Sequence, residues 1–241
     1  MRATIYVIPG SHPSMAARLM LEHKGIDYRR RDLVAGVSRP ILRVAGFPGV
    51  TVPAIKLDGR RLQGTRTISR ELDALVPEPA LFPADPERRR AVEEAEAWGD
   101  EELQPVPRRL AWAAFSRDRS GVRSFLEDAR LGIPTGLAAK TSAPVVALAR
   151  RLNTATEEAA RADLAALPGL LDRVDGLIAE GTIGGWERNA ADFQIATSVR
   201  LLLTFDDLRP AIEERPAGAL ARHVAPDFPG RIPPVFPPGW L

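Results

Sequence analysis

A chain of 241 residues, 45% apolar and 27% charged, has the make-up of a folded globular protein and is long enough to bury one large core or two smaller ones. Cysteine is absent, which excludes disulfides, thiolate metal sites and a cysteine nucleophile, so any sulfur chemistry has to bring its sulfur from outside. The net charge is only +2, and acids lie near both arginine runs, Arg29-Arg30-Arg31 and Arg88-Arg89-Arg90, which therefore read as solvated faces rather than a nucleic-acid patch.

No apolar run approaches the roughly 18 residues needed to span a bilayer, so no membrane partner is expected. Residues 3–8 alternate weakly, carry β-branched and aromatic side chains and end at Pro9-Gly10, as a buried strand meeting a breaker does. They read as a strand rather than a signal peptide, and a cytoplasmic location is the expectation. Ser11-His12-Pro13-Ser14 follows, then a helix from Met15 to Lys24 that Gly25 stops. Ile26 to Leu33 alternates as a second strand. Residues 34–51 are irregular, with one short helix around Pro40–Ala45. The runs 52–57 and 60–63 flank Asp58-Gly59, a strong hairpin signal. A helix from Thr65 to about Leu75 carries Ile68, Leu72 and Leu75 on one face.

The proline-rich stretch Val76 to Pro86 resembles a linker, and everything after it has helical spacing. One long segment runs from Pro86 to Ser116, with Pro105 and Pro107 placed to kink it. Further helices are expected near 120–131, 143–152, 155–180 and 190–205. From Pro226 onward the helical period is lost, and the tail should lie as extended chain anchored by Phe228, Phe236 or Trp240. The expected division is 1–77, 85–225 and a tail of 226–241.

Several short motifs fall in order along this layout. Leu21-Glu22-His23-Lys24-Gly25-Ile26 closes the first helix, and Val52-Pro53-Ala54-Ile55 opens the third strand. Leu62-Gln63-Gly64-Thr65-Arg66-Thr67-Ile68 leads into the next helix. Asn189-Ala190-Ala191-Asp192 opens an apolar helix as a capping box. Together they resemble the cytosolic glutathione transferases from residue 3 to about 215. The resemblance implies an α/β thioredoxin-like domain with a mixed four-stranded sheet, followed by an all-α helical-bundle domain. It implies a glutathione S-transferase-like enzyme that binds glutathione or another low-molecular-weight thiol and presents its thiolate to an apolar electrophile. A homodimer is a weaker implication. The alternative is a catalytically silent member that uses the fold for binding or assembly.

Ser11 is the expected catalytic residue. It lies where free N–H groups and the helix dipole favour an anion, and a hydroxyl there adds one donor to a thiolate. Ser11 or Ser14 could equally be a plain N-cap. His12 is adjacent and enters the expected thiol site, although a lone exposed histidine is the simpler reading for His12, His23 and His223. No metal is expected.

The resemblance makes the Val52–Pro53 bond cis, which would turn the Val52 N–H and C=O toward a bound peptide. It also implies thiol-binding roles for Gln63, Gly64 and Thr65. Gly64 stands where the family has an acid for the ligand's α-amino group, so Gln63 reaches across instead, an acid comes from elsewhere, the thiol is a different one, or activity is lost. Arg108, Trp112 and Phe115 are expected to line the co-substrate pocket between the two domains.

Overall fold

The computed structural model describes residues 2–240. Met1 and Leu241, the end points of the expected first domain and tail, lie outside the described residues. Strands β1 (Ala3–Val7), β2 (Tyr28–Asp32), β3 (Ala54–Leu57) and β4 (Arg60–Gln63) form one sheet in the order β2-β1-β3-β4. β1 runs parallel to β2 and antiparallel to β3, and β4 returns antiparallel to β3, so the sheet is mixed. Asp58 and Gly59 both take positive φ, 46° and 87°, as a two-residue hairpin with the native twist requires. The Val52–Pro53 peptide is cis.

Strand periodicity of two sends side chains to both faces of this sheet. Ile5, Ile55 and Leu62 meet helices α1 (His12–His23) and α3 (Thr65–Leu75) on one face. Tyr6 and Ala54 face the other side, where Leu33, Phe47 and Leu42 of helix α2 (Ser38–Val44) make a separate small core.

The Lys-Gly-Ile motif has a physical explanation. The Lys24 side chain is fully buried at the end of α1. Its Nζ donates to Asp73 Oδ1 at 2.7 Å and to the carbonyls of Val76, Pro77 and Pro79. One ammonium thus ties α1 to the segment that leaves the sheet. Gly25 follows with φ of 63°, the left-handed turn that ends the helix.

The remainder is helical. Helix α4 (Pro86–Trp98) is capped by Asp85, whose side chain accepts from the Arg88 N–H. The break before α5 (Pro105–Arg117) is a π-helical turn, Gly99–Leu103, in which Gln104 N–H reaches back to the Gly99 carbonyl. Pro105 and Pro107 have no N–H to continue an α-helical ladder into this turn, so the irregularity falls just before them. The segment 120–126 is a 3₁₀ helix rather than the start of the expected helix to residue 131.

Helices α6 (Thr135–Lys140), α7 (Ala143–Leu152) and α8 (Glu157–Ala179) follow. Helix α9 (Ala190–Leu202) is buried along its whole length apart from Arg200, which is half-buried. It packs against α1, α4 and α11 and so joins the two halves in one continuous core. The Asn189–Asp192 capping box closes its N-terminus, with Asp192 also accepting from the Gly184 N–H. The short α10 (Arg209–Ile212) and α11 (Pro216–Val224) complete the bundle.

The tail is pinned by several unrelated contacts. Phe228 and Phe236 are buried, and Ile232 pairs with Phe205 as a single parallel bridge. Asp207 Oδ2 accepts the N–H groups of Val235 and Phe236. The guanidinium groups of Arg117 and Arg161 each lie about 5 Å from the centroid of the Trp240 ring.

Candidate active site

The loop after β1 delivers Ser11 to the start of α1 as its N-cap. Ser11 Oγ accepts the Ser14 N–H at 3.4 Å, and Pro13 sits in the first turn where an N–H is dispensable. Ser14 is buried, and its hydroxyl has no hydrogen-bond partner among the described residues. The capping role falls to Ser11, which spends an oxygen lone pair on it, and its hydroxyl donates to no protein group among the described residues.

Ser11 opens onto a cleft of about 490 Å³. His12 and Val52 line it from the sheet side, and Arg108, Trp112 and Phe115 line it from α5. These six expected site residues thus share one cavity. Phe125, which sequence reasoning did not single out, supplies another wall and stacks edge-on against Phe115. The chain comes close to Phe125 at two glycines: a Cβ on Gly10 or Gly230 would lie 2.5 or 2.4 Å from its ring.

His12 is not an exposed histidine. It is 2% accessible, and Nε2 lies 3.1 Å from the Gln104 carbonyl, to which it can only donate. Burial, reinforced by the positive charge of Arg108, pulls its pKa from 6.5 to about 3. The ring is therefore neutral at physiological pH and is too weak a base to take a proton from a thiol. His23 is half-buried against Phe193, and only His223 is exposed as expected.

Gln104 is the hub that sequence reasoning missed. Its carbonyl holds His12, its Oε1 accepts from Arg108 Nη1 at 2.9 Å, and its Nε2 donates to Asp100 Oδ1 at 3.2 Å. Nothing in the local sequence marks it, because its partner His12 is 92 residues away.

The remaining expected residues lie off the cleft wall. The Gln63 side chain is committed within the protein: Oε1 accepts from the Gly49 N–H at 2.7 Å and Nε2 donates to the Thr51 carbonyl at 2.6 Å. It braces the loop before Pro53 and, as a neutral amide, brings no charge to replace that of an acid. Gly64 caps α3 through its backbone alone with φ of 84°, and its N–H donates to the Pro53 carbonyl. Thr65 is 2% accessible, with Oγ1 3.5 Å from Asp100 Oδ1. Burial pushes the Asp100 carboxyl above its usual range, while Arg66 pulls it down. Among the described residues no cluster of three or more potential metal ligands is present.

A four-stranded mixed sheet, a serine-capped helix facing a cleft and a helical half that closes the cleft define the glutathione-transferase type of fold. Residues 5–80 match the family described as the N-terminal domain of glutathione S-transferases.

Solved structures extend the likeness over nearly the whole chain. A glutathione S-transferase from Rhodospirillum rubrum is 19% identical over 98% of this chain and 96% of its own, with a TM-score of 0.59. A maleylacetoacetate isomerase from Anaeromyxobacter dehalogenans, with glutathione bound in its active site, is 18% identical over 94% and 91%, at 0.57. A β-etherase from Sphingobium is 17% identical over 92% and 99%, at 0.61. No curated protein sequence matches the chain. No helix among the described residues is long and apolar enough to cross a membrane.

Proposed function

We propose that this protein binds a low-molecular-weight thiol, glutathione or a relative of it, and activates the thiolate for reaction with an electrophile held in the cleft. The observation that carries the reading is Ser11: a hydroxyl with an uncommitted proton, at a helix N-terminus, on the wall of a 490 Å³ cleft. The amides at the start of α1 and the Ser11 hydroxyl favour the charged form of a sulfur placed there. The thiol proton leaves to solvent, since His12 cannot hold it. The sulfur lone pair then forms the S–C bond, and the leaving group departs with its bonding electrons.

The first amides of α3, beside Thr65, are a natural seat for a ligand carboxylate. Asp100 is the carboxylate nearest Thr65, and in this reading it replaces the charge that Gly64 lacks. The isomerase with bound glutathione and the β-etherase make isomerisation and reductive cleavage natural alternatives to conjugation. The homodimer implied by the resemblance is a separate expectation, checked by mass in solution.

A panel of small thiols, each titrated by calorimetry and then assayed with a reactive aryl halide, tests the proposal. Saturable binding with a lowered thiol pKa and turnover supports it. Gly64 is the observation that favours the catalytically silent reading, and failure to bind any thiol would establish that reading instead.

A further inference from the structure

We infer that the cleft is shaped for an electrophile that carries a carboxylate or similar anionic group on an apolar body, with Arg108 receiving the anion. The inference rests on the thiol-transfer reading of the same cleft and names the class of its second substrate.

The charge lining the cleft has one sign. Arg39 stands exposed on its wall and Arg108 lines it from α5, while no aspartate or glutamate lines it among the described residues. The other lining groups are mostly apolar, with Trp112 one helical turn beyond Arg108 and Phe115 next on the same side. Such a surface binds a flat apolar body and rejects a cation.

Arg108 lacks the ion pair that its neighbour Arg109 has. Its neighbour Arg109 is held by both oxygens of Asp163, whereas Arg108 makes no ion pair within 4.0 Å among the described residues. Nη1 is given to the neutral amide of Gln104 at 2.9 Å. Nε is buried and has no acceptor among the described residues. Desolvation, followed by repulsion from Arg109, lowers the pKa of this guanidinium, and Asp100, linked to it through Gln104, offsets this in part. A partly buried cation without a direct ion pair is costly, and a ligand carboxylate that reaches the guanidinium from the cleft lowers that cost. The Gln104 bonds fix both Arg108 and His12, the residue after Ser11, so the anion site is built onto the same scaffold as the sulfur site.

The test compares a chloronitrobenzoate with the corresponding benzamide, using the most effective thiol and normalising each rate to its uncatalysed reaction. The wild type should favour the acid in kcat/KM by about tenfold or more, the worth of one charge-assisted pair. Arg108→Met should bring the ratio to about one, and Arg108→Lys should retain part of it. If the wild type shows no preference, or the preference survives Arg108→Met, the inference fails. It also fails if Arg108→Met changes only the KM for the thiol, because the arginine then serves the first substrate.

A second arm needs no chemistry: an unreactive nitrobenzoate and nitrobenzamide are titrated against the tryptophan fluorescence of the protein. Acid-selective binding that Arg108→Met abolishes supports the anion site even if no thiol is turned over, a result that would sink only the thiol-transfer reading. If the methionine variant does not fold, Arg108→Gln reads the same ratio.

Discussion

Ser11 Oγ accepts the Ser14 N–H at 3.4 Å, and this bond uses a lone pair while leaving the hydroxyl proton available. Capping and sulfur activation therefore do not compete for the same part of the residue, and two substitutions can separate them.

Ser11→Ala should lower the rate of thiol transfer ten- to a hundredfold, the loss of one charge-assisted hydrogen bond worth about 1.5–3 kcal/mol. It should also cost about 1 kcal/mol of stability through the lost cap. Ser11→Gly removes the hydroxyl equally, yet a glycine cap costs only a few tenths of a kcal/mol. The expected pattern is two equally slow variants with different melting temperatures. Two fast variants would leave Ser11 a cap alone.

Lys24→Met should be among the more destabilising single changes in the protein. It strands Asp73 and three carbonyls around a site where the lysine side chain has no solvent access. Breaking a buried pair from one side costs about 3–5 kcal/mol. Urea denaturation, with an unchanged slope and a lower midpoint, is the measurement.

His12 sets a pH dependence of known sign. The unfolded chain protonates this ring near pH 6.5, while the folded chain refuses the proton until about pH 3. Stability is therefore full above pH 6.5 and falls as pH drops toward 3, by about 1.4 kcal/mol per pH unit. His12→Gln should flatten that slope. The buried carboxyls Glu96 and Asp192, whose pKa values are raised, act with opposite sign and cancel when the two proteins are compared. Parallel melting-temperature profiles for wild type and variant would contradict the assignment.

Asp207→Ala should loosen the tail. The carboxylate collects two backbone N–H groups, from Val235 and Phe236, at 2.7 and 3.0 Å. Its loss should weaken anchoring by about 1.5–3 kcal/mol. Limited proteolysis should then cut beyond Pro226 much faster than in the wild type. The wall residue Phe125 should also become more mobile, since Gly230 of the tail packs against its ring.

Local chemistry made much of the fold readable. Asp58-Gly59 allows little but a tight hairpin, and the apolar spacing of Ile68, Leu72 and Leu75 announced α3. Ser11, Trp112 and Phe115 could be aimed at one cleft because the order of elements dictates where β1 ends and how α5 lies. Helix α11 was missed although Ala217, Leu220, Ala221 and Val224 repeat at helical intervals, because small alanines give a weak apolar signal. The contacts of Gln63 were not legible in the sequence for a different reason. A glutamine on a strand end can reach a ligand or a neighbouring loop, and only the nearness of Gly49 and Thr51 decides. The same holds for His12, whose burial depends on Gln104 arriving from the other half of the chain.

The π-turn Gly99–Leu103 acts as an indexing step. It contains one residue more than an α-turn would hold, and successive helical residues are rotated by about 100°. That extra residue sets the angle at which α5 leaves α4, and so decides which side of α5 looks into the cleft. Deleting one residue between 99 and 103 should leave the helix content almost untouched. It should turn Arg108, Trp112 and Phe115 out of the cleft together, as a wheel advanced by one tooth. New substrate faces could thus arise in this architecture by gain or loss of a single codon, with no change in any residue that touches the substrate.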